Sequence, residues 1–139
     1  MMAKELIFKA NSVFDSITYD EDANHWYFTF SDEIYASSSG FWRLLEANKI
    51  VLVSLDNKHQ LGLSKPLDLV GEIAKRLRRK KLIEINVDED TGDLTLIISD
   101  DMKIQIYIAS SGYETYEFSY QDKRYIGLGS GEIAIVNNQ

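Results

Sequence analysis

The chain has two imidazoles, His25 and His59, and neither has a second ligand-type residue at a metal-binding spacing such as i+4 on a helix. His25 stands where a strand begins and His59 in the polar run Asp56-Asn-Lys-His-Gln60, so both read as surface turn residues. There is no cysteine, which excludes disulfides, thiolate nucleophiles and cysteine zinc sites. No other nucleophile is placed beside a base, so covalent catalysis has no visible equipment. The turn Asp88-Glu-Asp-Thr-Gly-Asp93 has the carboxylate density of a calcium loop. Its glycine, however, falls at the fifth position and not the sixth, no glutamate stands at the twelfth, and the flanks pattern as strands. The expected structure is a hairpin turn in which Gly92 supplies a positive φ, and no metal is expected. Gly127-Leu-Gly-Ser-Gly131 has the composition of a phosphate cradle, but no helix follows to present its N-terminus, so it reads as a turn before a last strand.

Binding chemistry is better represented. Lys75, Arg76, Arg78, Arg79, Lys80 and Lys81 form one cationic cluster, a candidate nucleic-acid patch. No aromatic residue is interleaved with them, and the favoured reading is a solvated helix end paired with neighbouring carboxylates. The net charge is −7, and without those six cations 9 basic residues face 22 acidic ones. Such a surface repels nucleic acid and steers basic partners inward, or simply keeps the protein soluble. In Tyr113-Glu-Thr-Tyr-Glu117 the alternation puts Tyr113, Thr115 and Glu117 on one face, and an inward Glu114 would need Arg43 or Arg124.

These residues are carried by strands and one helix. Leu69, Ile73 and Leu77 recur at helical spacing, with Val70 and Ala74 beside them, which predicts a helix over about 66–81. Everything else alternates with period two or turns. The 139 residues, 45% hydrophobic with one proline, suffice for one core, and no apolar run approaches a membrane span. The start Met-Met-Ala-Lys-Glu has no signal-peptide core, so a soluble cytoplasmic protein is expected.

The two flanks of the helix repeat one another. Ile17-Thr-Tyr-Asp-Glu-Asp-Ala-Asn-His-Trp-Tyr-Phe-Thr-Phe-Ser-Asp32 and Ile85-Asn-Val-Asp-Glu-Asp-Thr-Gly-Asp-Leu-Thr-Leu-Ile-Ile-Ser-Asp100 align at a constant offset, with the acidic triplets, the Ser-Asp pairs and the apolar alternation in phase. Ala36-Ser-Ser-Ser-Gly40 resembles Ala109-Ser-Ser-Gly112 after an insertion of about four residues placed in the strand 102–108. The predicted architecture is α+β, mainly antiparallel β: one domain over 1–139, with duplicated β-meander halves at about 13–63 and 81–136 joined by the central helix. The prediction holds roughly ten strands, with residues 6–10 left open between strand and short helix.

As a set, Trp26-x-Phe-x-Phe30, Phe41-Trp-Arg-Leu44, Thr91-Gly-Asp-Leu94, Tyr113-Glu-x-Tyr116 and the glycine turn resemble a bacterial domain family of uncharacterised proteins. Its members pair a W-x-F strand with a later G-D-L strand, a Y-E-x-W segment and a P-G-G turn, and the likeness runs from about Val13 to Val136. Two positions depart: Tyr116 replaces a tryptophan, and Gly129-Ser-Gly131 replaces Pro-Gly-Gly. Some family members look like immunity proteins encoded beside polymorphic or contact-dependent toxins. The resemblance implies a protein that binds and blocks a cognate toxin, without catalysis or cofactor.

The expected partner is then a basic toxin domain such as a nuclease. The candidate contact residues are Asp20, Glu21, Asp22, Asp32, Asp88, Glu89, Asp90 and Asp100, with Tyr113 and Glu117 as anchors. Two alternatives remain open: a ligand-binding or enzymatic β-domain with a pocket lined by Trp26, Trp42 and Tyr116, and nucleic-acid binding through the cationic cluster. The expected oligomeric state is a monomer, or a homodimer through exposed edge strands.

Overall fold

The computed structural model describes residues 6–110 and 112–137. Its strands are β1 (Leu6–Asp20), β2 (His25–Phe30), β3 (Tyr35–Ser38), β4 (Trp42–Glu46), β5 (Lys49–Val53), β6 (Lys81–Val87), β7 (Leu94–Ile98), β8 (Met102–Ile106), β9 (Tyr116–Tyr120), β10 (Lys123–Gly127) and β11 (Ile133–Asn137). They form one antiparallel sheet in the order β11-β10-β9-β3-β2-β1-β6-β7-β8-β4-β5. The prediction of a mainly antiparallel β fold with a helix stands. Residues 6–10 are strand, and β9 begins at Tyr116, with Thr115 bonded through its backbone to Ser39 and Gly127 just before it.

β1 belongs to two wings. Leu6 to Val13 pair with β6, and Phe14 to Asp20 pair with β2. The ladder slips between Phe14 and Ser16, and inward parity changes there from Ser12 and Phe14 to Ile17. One extra residue does this because side chains alternate with period two. The wings then fold over each other. Trp42 of one meets Trp26 and Phe28 of the other edge-on, with centroids 5.1 Å apart in both cases. Phe8 packs likewise against Phe118 and Tyr125. A single core lies between them.

The helix α1 (Leu69–Leu77) buries Leu69, Ile73 and Leu77 completely in that core. Asp68 caps it by accepting from the Gly71 amide at 3.2 Å, and Asn57 Oδ1 accepts from the Leu69 amide at 3.1 Å. It is shorter than the predicted 66–81. Arg78 leaves helical geometry with ψ 124°, Arg79 takes φ 66°, and Lys81 is already paired with Val13. The turn that follows is tied at both sides, the Lys80 amide donating to the Leu77 carbonyl and the Lys80 carbonyl accepting from the Phe14 amide of β1, both at 2.9 Å.

Four hairpin loops place two consecutive non-glycine residues at positive φ: Asp32-Glu33, Ala47-Asn48, Asp100-Asp101 and Gln121-Asp122. The loops at Ala47-Asn48 and Gln121-Asp122 hold two residues between paired positions, and loops of this hand match the right-handed twist of the strands they join.

Candidate binding face

On β2 the core takes Trp26, Phe28 and Phe30, which turns His25, Tyr27 and Thr29 outward. The same parity puts Tyr35 and Glu117 on the outer face of β3 and β9, with Ser37, 3% exposed, buried between its neighbours on that face. Ladder pairing lines these up, Tyr27 opposite Ser37 and Ser37 opposite Glu117. At the centre the Tyr35 hydroxyl donates to Glu117 Oε2, and Arg124 Nη1 donates to Glu117 Oε1 at 3.3 Å. Burial, and then the hydrogen bond to an anion, push the Tyr35 phenol up to about 12. The His25 and Tyr27 rings lie 4.7 Å apart.

This ridge separates two open grooves. One, of about 500 Å³, is lined by Thr29, Asp32, Glu33, Tyr35, Ser119 and Asp122 among others. The other, of about 290 Å³, is lined by His25, Tyr27, Ser37, Glu114 and Glu117 among others. The face thus presents five carboxylates and two tyrosines, and its one cation among the described residues, Arg124, is already tied to Glu117.

The residues expected to meet a partner are divided between separate regions. Asp20 Oδ1 accepts from the Asp22 and Ala23 amides at 3.1 and 3.2 Å, and Asp88 Oδ1 from the Asp90 and Thr91 amides at 2.8 and 2.9 Å. Both carboxylates therefore build their own turns, and the two amides hold Asp88 below the usual carboxylate range. Glu21 pairs with Lys58 at 3.1 Å, while Asp22, Glu89 and Asp90 are exposed. The triplets sit at opposite ends of β1, since Val87 pairs with Leu6 and Asp20 closes the strand.

Asp32 and Asp100 are brought nearer each other. Ser31 and Ser99 bind Val13 and Lys81 respectively, and those two residues pair across β1 and β6. Asp32 accepts from Ser12 at 2.9 Å, and Asp100 is ion-paired with Lys80. Tyr113 lies in the loop before β9 and is 79% exposed, whereas Glu117 occupies the centre of the face. Glu114 is exposed, so the carboxylate met by Arg124 is that of Glu117.

The cationic cluster is dispersed over the end of α1, the turn after it and the start of β6. Lys75 pairs with Glu72 at 3.4 Å, Arg76 with Glu46 at 3.0 Å and Lys80 with Asp100, while Arg78, Arg79 and Lys81 are exposed. Trp26, Trp42 and Tyr116 are 3, 0 and 2% exposed and belong to the core. Among the described residues no three His, Asp or Glu side chains converge as a metal site, and no helix is long and apolar enough to cross a membrane. Compared with protein-family models, curated proteins and solved structures, the chain matches none of them.

Sequence reading missed Tyr27, Tyr35, Glu33, Asp122 and His25 as parts of one face. The alternation around Trp26, Phe28 and Phe30 carried the signal for Tyr27. The pairing of β3 with β9, which brings Tyr35 to Glu117, is non-local and had no signal in the chain.

Proposed function

We propose that this chain is an immunity-type protein, which binds and neutralises a cognate toxin of basic character and performs no chemistry of its own. The observation that carries this reading is the outer face of β2, β3, β9 and β10, where exposed carboxylates surround tyrosines and the one cation is already paired. Tyrosine supplies contact area at low entropic cost, and like-signed charge steers a basic partner onto it. The resemblance in Trp26-x-Phe-x-Phe30 and the related motifs supports the same reading from the sequence side. The cationic cluster supports nucleic-acid binding less well, because three of its six members are engaged by carboxylates. The test is co-expression with the C-terminal domain of the neighbouring gene's product: a stable complex that abolishes toxicity is expected, and free, still toxic partner would refute it.

We also infer that the chain is an internal duplication, β1 to β5 being equivalent to β6 to β10. Exchanging these two sets turns the strand order from β10 to β5 into its own reverse, the pattern expected of a pseudo-two-fold axis between β1 and β6. Local details support it. The Val13 amide donates to Ser31 Oγ and the Lys81 amide to Ser99 Oγ, both at 2.9 Å. Positive-φ pairs recur at Asp32-Glu33 and Asp100-Asp101, and again at Ala47-Asn48 and Gln121-Asp122. Ladder register keeps the offset constant through β3 and β8, which moves the insertion out of the strand and into the loop before β9.

A further inference from the structure

We infer that the docking surface is specifically the outer face of β2, β3 and β9, centred on Tyr27, Tyr35 and Glu117, and that its occupant is an extended cationic protein segment presenting arginine or lysine side chains to the two flanking grooves. This rests on the binding reading above and narrows it to one surface and one partner chemistry.

The protein contains its own control for this inference. Ladder register assigns the central outward residues of the face counterparts on the other wing, while the flanking turn acids Asp32-Glu33 correspond to Asp100-Asp101 and keep their sign. Tyr27 opposite Ser37 corresponds to Thr95 opposite Gln105, and Thr29 opposite Tyr35 to Ile97 opposite Lys103. Ser37 opposite Glu117 corresponds to Gln105 opposite Arg43. The same scaffold positions therefore carry two tyrosines and an anion on one wing, and none of these with two cations on the other. A groove exists there too, about 270 Å³, lined by Asp88, Asp93, Thr95, Gln105 and Tyr107 among others. Groups there engage one another, Arg43 Nε donating to Gln105 at 2.7 Å and lying over the Tyr107 ring and Asp93 accepting from the Ile108 amide at 2.8 Å; Glu117 is likewise engaged on the first wing, but Glu33, Glu114 and Asp122 beside it are exposed carboxylates. On the duplication inferred above, equivalent ladder positions hold Thr95, Lys103 and Arg43, so strand pairing alone does not dictate Tyr27, Tyr35 and Glu117.

Charge complementarity selects the occupant. Asp32, Glu33 and Asp122 border one groove and Glu114 and Glu117 the other, and the ridge between them offers aromatic surface. A guanidinium can both pair with a carboxylate and stack on a tyrosine, which a phosphate or an acidic peptide cannot.

The probe is a synthetic peptide of alternating arginine and alanine, capped at both ends. It is titrated into the ¹⁵N-labelled protein at about 0.15 M salt, where the Debye length of ~8 Å weakens attraction to scattered carboxylates. Amide shifts should concentrate on Tyr27, Tyr35, Ser37 and Glu117 and spare Thr95 and Gln105. Tyr27→Ser and Glu117→Gln, both outside the core, should each weaken binding by about tenfold, equivalent to ~1.4 kcal/mol. Shifts confined to the Asp20 or Asp88 turns, shifts shared equally between the two wings, or no binding would overturn the assignment. This readout does not use the toxin, so failure to co-purify a toxin leaves it intact. A toxin complex that survives Tyr27→Ser with Glu117→Gln sinks the face while sparing the immunity reading.

Discussion

Replacing Tyr116 with phenylalanine tests how the Asp88 turn is held against β9. The Tyr116 hydroxyl donates to the Gly92 carbonyl at 2.7 Å, and the residue is 2% exposed. Its ring fills the space above Gly127, where a Cβ would collide with it, and Gly92 in turn lies so close to Gly131 that a Cβ would stand 3.0 Å from the Gly131 carbonyl. One hydroxyl thus bridges the β9 strand and the acidic Asp88 turn. Tyr116→Phe keeps the ring and strands a buried carbonyl, which costs about 1–2 kcal/mol. Tyr120→Phe is the matched control: its hydroxyl donates to the Lys9 carbonyl at 2.6 Å, but in an exposed setting where water replaces it, for a cost of about 0.5 kcal/mol. With a urea m-value of about 2 kcal/mol/M, the midpoints should fall by about 0.5–1 M for Tyr116→Phe and about 0.25 M for Tyr120→Phe. Equilibrium unfolding followed by tryptophan fluorescence measures both. Equal shifts, or a larger shift for Tyr120→Phe, would refute the argument that burial of the Gly92 carbonyl sets the cost.

Three further outcomes are expected. Tyr35, raised to about 12 by burial first and Glu117 second, should ionise above the free phenol range in an alkaline absorbance titration, and Glu117→Gln should move it down. Because its folded value is raised, the stability it contributes is complete below the free phenol value of about 10 and is lost between there and about 12. Asp88 has the opposite sign: its depressed value contributes stability above the unfolded value of about 3.9, lost as pH falls through the folded one. Asp88→Asn keeps the acceptor for the turn amides, so its deficit in urea midpoint should shrink as pH falls from about 7 to about 2; a constant deficit would remove the carboxylate as the cause. Gly92→Ala should destabilise by about 1–3 kcal/mol, combining φ +80° with the contact to Gly131, while Gly112→Ala, with open space around it, should be near neutral in the same unfolding assay.

Much of the local structure was legible because it is carried by period. Leu69, Ile73 and Leu77 repeat at helical spacing and are all fully buried, and Trp26, Phe28 and Phe30 alternate and all face inward. The end of the helix was not legible. Six cations look like one dipole-favoured terminus, yet Arg79 stands at positive φ with no glycine to announce the turn, and Lys81 is claimed by Val13. The hairpin turns at the Ser-Asp pairs, Glu46 to Lys49 and Gln121-Asp122 were legible in place but not in conformation. Asp32-Glu33 and Asp100-Asp101 take conformations usually marked by Asn-Gly, so only the repeated Ser-Asp pair hinted at them.

The candidate face was illegible for a different reason. Acidic triplets stand out in a sequence because they are contiguous, but contiguity reflects a turn's local needs: Asp20 and Asp88 spend their carboxylates on their own backbone amides. A binding face on a sheet is assembled from every second residue of strands distant in sequence. Tyr27, Tyr35 and Glu117 meet only because β3 pairs with β2 on one side and β9 on the other, and no local pattern encodes the second pairing. Charge counted along the chain therefore pointed to the turns, whereas charge counted across the ladder points to Glu117 and the grooves beside it. The two readings make different demands on one partner: the turns lie at opposite ends of β1, while the face gathers its carboxylates around a single ridge that one extended segment can cover.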